Sequence, residues 1–364
     1  MKNKPVLYHI DAKTQSDNLG DLVINAVLAN EISKKHKIRV NTFGCSDSYS
    51  SMFSGKETTK IRETKLQTLI SLIKKTKSEK VVYILNPGHH FIKQKTPLKH
   101  ILKLMFYAAL RANGIELIRL GASLGPNSKA GDWCEIALSK LCTLYTARES
   151  ISYEYSKKLG ITKVTSCPDM AFLIATPCEI SRHRHQHILS FREGVLLNDT
   201  TNKNSITHII PSELPKKIST LSVFLSQVTR DENFNSALCE STPAAKNLGA
   251  YPQISHEDIF DNYAHADFVL SNRLHVLLFS ASQGAIPIPV IRASSHTKIT
   301  GVFESAGLGK LIFDLDKSDS LAAHIERILE EREEIRENVL KAFNTESLKI
   351  RKILDQLSLD LQPC

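Results

Sequence analysis

Trp133 is the only tryptophan in 364 residues, and aromatic residues make up 7% of the chain. The lysine pairs at 34–35, 74–75, 157–158 and 216–217 are scattered and accompany no RNA- or DNA-binding motif. A formal net charge of +9 therefore does not by itself support nucleic-acid recognition. It remains compatible with small anions and with anionic membrane surfaces. The seven cysteines (Cys45, Cys134, Cys142, Cys167, Cys178, Cys239 and Cys364) are odd in number and form no C-x-x-C pair. That spacing argues against a disulfide framework or a zinc site and for reduced, mostly buried thiols. No apolar run approaches the roughly 18 residues of a membrane-spanning helix. The amino terminus, MKNKPVLYHIDAK, carries too short an apolar run for a signal peptide and reads as a first strand, so a cytoplasmic protein is expected. There is no G-x-G-x-x-G, which leaves dinucleotide binding unsupported. There are also no internal repeats or low-complexity tracts.

What is present is an ordinary globular composition, 42% hydrophobic and 23% charged, in a chain long enough for two cores. Short β-branched runs alternate with helical stretches: PVLYHI, then DLVINAVLANEISKK; IRVNTF, then LQTLISLIKKT; KVVYILN, then KHILKLMFYAALRANG. The alternation continues through IELIRLGAS, TLYTAR and KVTSCPDMAFL, read as strands, and implies right-handed βαβ units on a parallel sheet. It breaks at PCEISRHRHQH and restarts with ILSFREGVLL, the helix ELPKKISTL and the strands SVFLSQ, DFVL, IPIPVI and KLIFDL. From about Ser318 the tail has the spacing of one or two long amphipathic helices. The expected architecture is α/β and GT-B-like: two Rossmann-like doubly wound domains facing a central cleft, with long carboxy-terminal helices. The expected boundaries are 1–178, a linker at 179–187, 188–317, and a helical segment at 318–364. His183, His185 and His187 alternate as strand-borne metal ligands would, but a solvated linker is the reading adopted, and no metal site is expected.

The residues with chemistry sit where strands end. In Ser271-Asn272-Arg273-Leu274-His275, a loop leaves an apolar run and enters a helix. Helix amino termini attract anions, Arg273 offers a planar fork for phosphate or carboxylate, and His275 exchanges a proton near neutrality. A buried histidine beside an arginine pairing some acidic side chain explains the same spacing. In Asn18-Leu19-Gly20-Asp21, Gly20 allows close backbone approach, and Asp21 is either a helix-start charge or a carboxylate base. Arg148, in Ala147-Arg148-Glu149-Ser150, is either a ligand-facing strand-end arginine or a surface ion pair. Ser150 is read as capping the next helix. Lys298, in His296-Thr297-Lys298, is either a cleft-rim cation or a solvated lysine. The loops Asn86–His90 and Gly121–Pro126, the latter carrying Ser123, follow strands as well. Asp314-Leu315-Asp316 matches a D-x-D pattern, but helix capping is the preferred reading.

Taken together these stretches resemble the polysaccharide pyruvyl transferase family. The resemblance rests on the N-x-G-D loop at 18–21, the G-x-S-x-G-P loop at 121–126, Arg148-Glu149 with Ser152, and Asp169-Met170-Ala171-Phe172. It continues with the S-x-R-L-H signature at 271–275, Gly284-Ala285-Ile286-Pro287 and Lys298, spanning about residues 5 to 310. Where the family often has a glycine triplet, this chain has Asn86-Pro87-Gly88-His89-His90. The resemblance implies transfer of a pyruvyl group from phosphoenolpyruvate to two hydroxyls of a sugar, giving a cyclic ketal, without a metal or organic cofactor. The residues suit that chemistry: Arg148, Arg273 and Lys298 as cations for the donor, His275 as the acid, Asp21 as the base. Asn18, Gly20, Ser271 and Ser123 would complete the substrate contacts. The implied partners are phosphoenolpyruvate and a sugar or lipid-linked oligosaccharide acceptor. Two other readings stay open. A nucleotide-sugar glycosyltransferase of the same architecture would often show two glutamates eight residues apart in its second domain. Here the first glutamate after His275 is Glu304, and position 312 is Ile312. The other is a relative that has lost turnover.

Overall fold

The computed structural model describes residues 4–90, 98–176, 184–193, 205–317 and 320–360. Most of the expected linker, with His183 and Cys178, lies outside the described residues, as does Cys364. The chain divides into two compact units. One comprises residues 1–16, 21–173 and 347–364; the other comprises 17–20 and 174–346. Residues 347–364 of the helical tail thus group with the first unit and the residues before them with the second.

Among the described residues the first unit has eight strands: β1 (Val6–Asp11), β2 (Lys37–Asn41), β3 (Thr58–Ile61), β4 (Lys80–Leu85), β5 (Gly88–His90), β6 (Glu116–Leu124), β7 (Leu144–Ala147) and β8 (Val164–Ser166). Their order is β3-β2-β1-β4-β6-β7-β8, with β5 beside β6, and every pairing is parallel. The chain reverses its direction of growth between β1 and β4, which is where a doubly wound sheet opens a crevice at its carboxyl ends. The second unit repeats the plan with β9 (Gln186–Ser190), β10 (Ser222–Ser226), β11 (Lys246–Ala250), β12 (Ala266–Ser271), β13 (Ile286–Ile291) and β14 (Phe313–Asp314). Its order is β11-β10-β9-β12-β13-β14, again all parallel, with the switch between β9 and β12. Both faces of these sheets are covered by helices, so the central strands read as continuous apolar runs. Every residue of β12 and β13 is buried. Pro287 and Pro289 are tolerated in β13 because its outer neighbour β14 is only two residues long and pairs from Val290 onward.

Several local expectations are corrected. KVTSCPDMAFL is not one strand: Pro168 follows β8, and Asp169 Oδ1 accepts from Ala171 N at 2.9 Å to start a single 3₁₀ turn at Met170–Leu173. Pro215 confines the expected helix ELPKKISTL to Lys216–Ser219, and a further helix, Ile206–Glu213, forms before it in the stretch read as variable and polar. Asn86–His90 is not wholly loop, since the backbone of Gly88–His90 pairs with β6. The edge strands β3 and β11 are short and polar, with too little apolar signal to stand out. Ser150 is the first helical residue and Glu149 the cap position, without a side-chain cap bond. Asp314 and Asp316 do not cap a helix. Asp314 accepts from the backbone of Ala293 and Asp316, and Asp316 binds Arg292 at 2.8 Å and Ser294 at 3.1 Å. The tail forms helices Leu321–Glu330 and Arg332–Asp360. The end of the second packs on helix Leu19–Ser33 through Arg351–Glu31 at 3.0 Å and Lys35–Asp355 at 2.7 Å.

His187 in β9 stacks on Phe268 of β12, ring centroids 4.1 Å apart and planes 11° from parallel. Burial lowers its pKa to about 4, with Asp267 opposing. The folded state therefore favours the neutral ring, and its contribution is complete above the unfolded pKa of about 6.5. As pH falls from there to about 4 the unfolded chain binds the extra proton, and about 3 kcal/mol is lost. Chemical denaturation across this range is expected to show that slope in the wild type and a shallower one in His187→Phe, where His9 and His296, also held low by burial, still contribute.

Candidate functional site

The helix Leu274–Ser282 is apolar almost all round and accordingly buried: among its residues only His275 keeps intermediate exposure. It starts at the carboxyl end of β12, beside the switch point. Ser271 donates to Ser190 O of β9 and accepts from Arg273 N at 3.0 Å. Asn272 accepts from Arg192 N at 2.6 Å and donates to Arg192 O at 3.1 Å. Asn235 holds Phe191 through both backbone groups at 2.8 and 2.9 Å and donates to Ser226 Oγ of β10. The strand-end loops are thus clamped before any ligand arrives. Ser271 serves that clamp and is fully buried.

Arg273 pairs with buried Asp231. Burial disfavours its charge, Asp231 restores part of it, and Arg192 and Arg230 press on it with like charge. His296, at the head of helix Thr297–Ser305, has its pKa lowered by burial and also by Arg192 and Arg292. Lys298 lies in the first turn of the same helix. The second unit therefore gathers Arg192, Arg230, Arg273 and His296 around one strand end, with one buried carboxylate among them. Such a cluster is stabilised by an anion. Arg192, Arg230 and His296 were not singled out in the sequence. Their signal was position alone, directly after β9, after β10 and after β13.

The ring of His275 stacks on Phe279, with centroids 5.6 Å apart. Gly20 also lies against it, where a Cβ would fall 2.3 Å from His275 Nδ1. Residues 17–20 belong to this unit: Leu19 N donates to Gln227 O at 3.2 Å, and Asn18 bridges Val228. Asn18 Oδ1 in turn accepts from Gly20 N at 3.1 Å. The first and fifth motifs thus meet, Gly20 as the floor under the imidazole.

In the first unit the other motifs converge. Arg148, buried at the end of β7, pairs with Asp169 and with Glu149 at 3.3 Å. It donates through Nε to Ser123 Oγ at 2.5 Å, and Ser123 donates to Glu149 at 2.8 Å. Burial raises the Glu149 carboxyl, and Arg148 opposes that. Asp21, in the first turn of its helix, is half-exposed and adds to the charges that stabilise the Arg148 guanidinium. Ser123 and Arg148 are therefore members of an internal ion-pair network, with Asp169 as the partner that sequence reading left without a role.

A cavity of about 580 Å³ lies at the carboxyl ends of β1 and β4 in the same unit. Asp11 on its wall bonds Lys65 and the Tyr83 hydroxyl and lies 3.4 Å from His9. Burial alone would raise the Asp11 carboxyl, but His9 and Lys65 outweigh it and hold it well below the ordinary carboxylate range. Arg119 is buried against Glu135 and Tyr145, while its Nε and Nη2 have no hydrogen-bond acceptor among the described residues. Burial and the charge of Lys65 lower the pKa of Lys103. None of these groups was anticipated, because each lies inside a strand or helix where a polar residue has no sequence neighbour to betray it.

The sequence profile of the polysaccharide pyruvyl transferase family matches residues 18–292. The chain belongs to that family. A comparison with curated proteins finds no relative. Among solved structures, a glycosyltransferase from Rickettsia africae ESF-5 superposes with a TM-score of 0.61 at 11% identity, covering 97% of this chain and 98% of its own. A UDP-GlcNAc 2-epimerase from Neisseria meningitidis gives 0.56 at 14%, covering 98% and 99%. A trehalose-6-phosphate synthase gives 0.55 at 11%, covering 98% of each chain. At these identities the likeness establishes the fold, which is of the GT-B type. The family match takes in the whole span from Asn18 to Arg292, and so both the Gly20–His275 contact and the Arg148–Asp169 network of this pyruvyl transferase family member.

Gly20→Ala is expected to displace the His275 ring, with a stability loss of about 1–3 kcal/mol and a changed His275 resonance by NMR. An unmoved resonance would mean that the ring does not rest on Gly20. Asp169→Asn, which leaves Arg148 under-compensated, is expected to lower stability by about 3–5 kcal/mol in denaturant titrations, whereas replacement of an exposed aspartate such as Asp47 should be near neutral.

Proposed function

We propose that this family member transfers the pyruvyl group of phosphoenolpyruvate to two hydroxyls of a sugar in a glycan or polysaccharide precursor, forming a cyclic ketal. The observation that carries this reading is the cationic cluster at the carboxyl end of β12, in a chain of this family. The donor bears a phosphate and a carboxylate, and Arg273, Arg192, Arg230 and Lys298 supply the opposite charge. The second unit is assigned the donor. The first is assigned the acceptor, whose hydroxyls suit a cavity lined by paired charges and by Tyr83 and Tyr107.

In the proposed chemistry His275 gives a proton to the methylene carbon of the donor, and the adjacent carbon becomes oxocarbenium-like. One sugar hydroxyl, losing its proton towards Asp21, bonds to that carbon. The carbon–oxygen bond to phosphate breaks, the cationic cluster takes the departing charge, and the second hydroxyl closes the ketal. Of the two hydroxyl protons, one replaces the proton delivered to the new methyl group and the other leaves with inorganic phosphate. The sum balances without an oxidant, reductant or cofactor. Arg148 acts as a positioning residue, held by Asp169 and Glu149. The Gly20 floor sets the direction of the His275 ring.

Purified protein incubated with phosphoenolpyruvate and a panel of sugars should release phosphate only when an acceptor is present, with a matching mass gain on the sugar. His275→Ala should lower that rate by about 10²–10⁴-fold, and Arg273→Lys should raise the KM for the donor. Turnover of a nucleotide sugar in place of phosphoenolpyruvate, or phosphate release unaffected by His275→Ala, would falsify the assignment.

A further inference from the structure

We infer that the cavity of the first unit binds an acidic sugar, with the sugar's carboxylate or phosphate held against Lys103. Under the proposed function, on which this naming of the acceptor rests, that sugar is the acceptor. At about 580 Å³ the cavity is too large for a bare inorganic ion. It falls among pockets that hold a small organic molecule, ~300–1,000 Å³. Phe43 lines it and is 46% exposed. The backbone N of Phe43 donates to Asn41 Oδ1 at 3.2 Å, and Gly44 turns the chain at a φ of 74°. The turn that carries the ring is therefore fixed, and an aromatic face beside polar groups suits the C–H face of a sugar.

The charge on the wall is uneven. Four carboxylates line the cavity, and three are taken up by the fold. Asp11 binds Lys65, Tyr83 and, at 2.9 Å, Asn41. Glu63 binds Arg39 and Ser71, each at 2.8 Å. Glu135 binds Arg119 and Tyr145. The fourth, Asp21, adds to the charges that stabilise Arg148. Of the four lining cations, Lys65 and Arg119 are thereby answered, while Lys13 and Lys103 pair with no carboxylate among the described residues. Lys103 lies on helix Leu98–Ala112 between His100, one turn before it, and Tyr107, one turn after, and all three line the cavity. Burial and Lys65 disfavour its charge, and no acid opposes them. Burial and Lys103 press on His100 in the same sense, against Glu135. Arg119 of the same wall is 1% exposed; Glu135 is its one carboxylate, and its Nε and Nη2 find no acceptor among the described residues. All three groups favour an oxyanion at Lys103, and a charge-assisted hydrogen bond in such a recess is stronger than one in water.

The test is isothermal titration of the full chain, without phosphoenolpyruvate. The titrants are uronates and sugar 1-phosphates of gluco, galacto and manno configuration, and their neutral parent sugars. The acids should bind more tightly than the neutral sugars and lose affinity as salt is added. Lys103→Met should weaken that binding at least about tenfold, the worth of one charge-assisted hydrogen bond, with an unchanged melting temperature. Lys99→Met, on the same helix but off the cavity wall, should leave it unchanged. A preference for uronates gives the oxyanion to a carboxylate, and a preference for sugar phosphates gives it to a phosphate. Neutral sugars that bind as tightly as their acids, a panel in which no acid binds, or acid binding that survives Lys103→Met overturns the inference. Acids that bind through Lys103 and are never pyruvylated would sink the proposed chemistry and leave the acid-binding site standing, so the two failures are told apart.

Discussion

A guanidinium buried at the end of a parallel strand must be answered by a carboxylate, and that requirement organises the strand-end loops of both units. Removing either partner of such a pair leaves an uncompensated buried charge, at a cost of about 3–5 kcal/mol. Arg148 meets the requirement through Asp169 and Glu149, and Arg273 through Asp231. Inside β6, buried Arg119 is likewise paired with Glu135. Arg148–Asp169, Arg273–Asp231 and Arg119–Glu135 each join different segments of the chain, whereas Glu149 is the next residue after Arg148. The loops are therefore rigid where chemistry needs fixed geometry.

The pairs are not equivalent. Arg148 is enclosed by two carboxylates, with a third charge from Asp21, so its own positive charge is fully met. Arg273 has one carboxylate and two further arginines pressing on it. The strand end there carries a positive excess, and Asn235 and Asn272 hold its loop. His275 lies in the same loop, and its ring position is set by the absence of a side chain at Gly20. His275 and the Arg273–Asp231 pair are thus placed by one short segment between β12 and its helix.

Much of this was legible in the sequence because it is periodic or local. The alternation of apolar runs with helical stretches announces two parallel sheets, since strands buried on both faces need unbroken apolar runs. S-x-R-L-H and N-x-G-D stand out because residues of distinct chemistry cluster at element ends. The cavity groups escaped: Asp11, Lys65, Lys103 and Arg119 are spread over two strands and two helices, and only the pleat and the helical turn bring them to one wall. Edge strands β3 and β11 escaped because an edge needs little apolar character.

Local periodicity announced the fold class, and the short motifs carried the resemblance that the profile match bears out, because backbone periodicity and turn residues are local properties. The tertiary structure decided which polar residues meet. It made Ser123 and Arg148 a buried network with Asp169, made Gly20 the floor beneath His275, and drew Arg192 and Arg230 to Arg273. Charge pairing acts through space and takes no account of how many residues of chain lie between the partners.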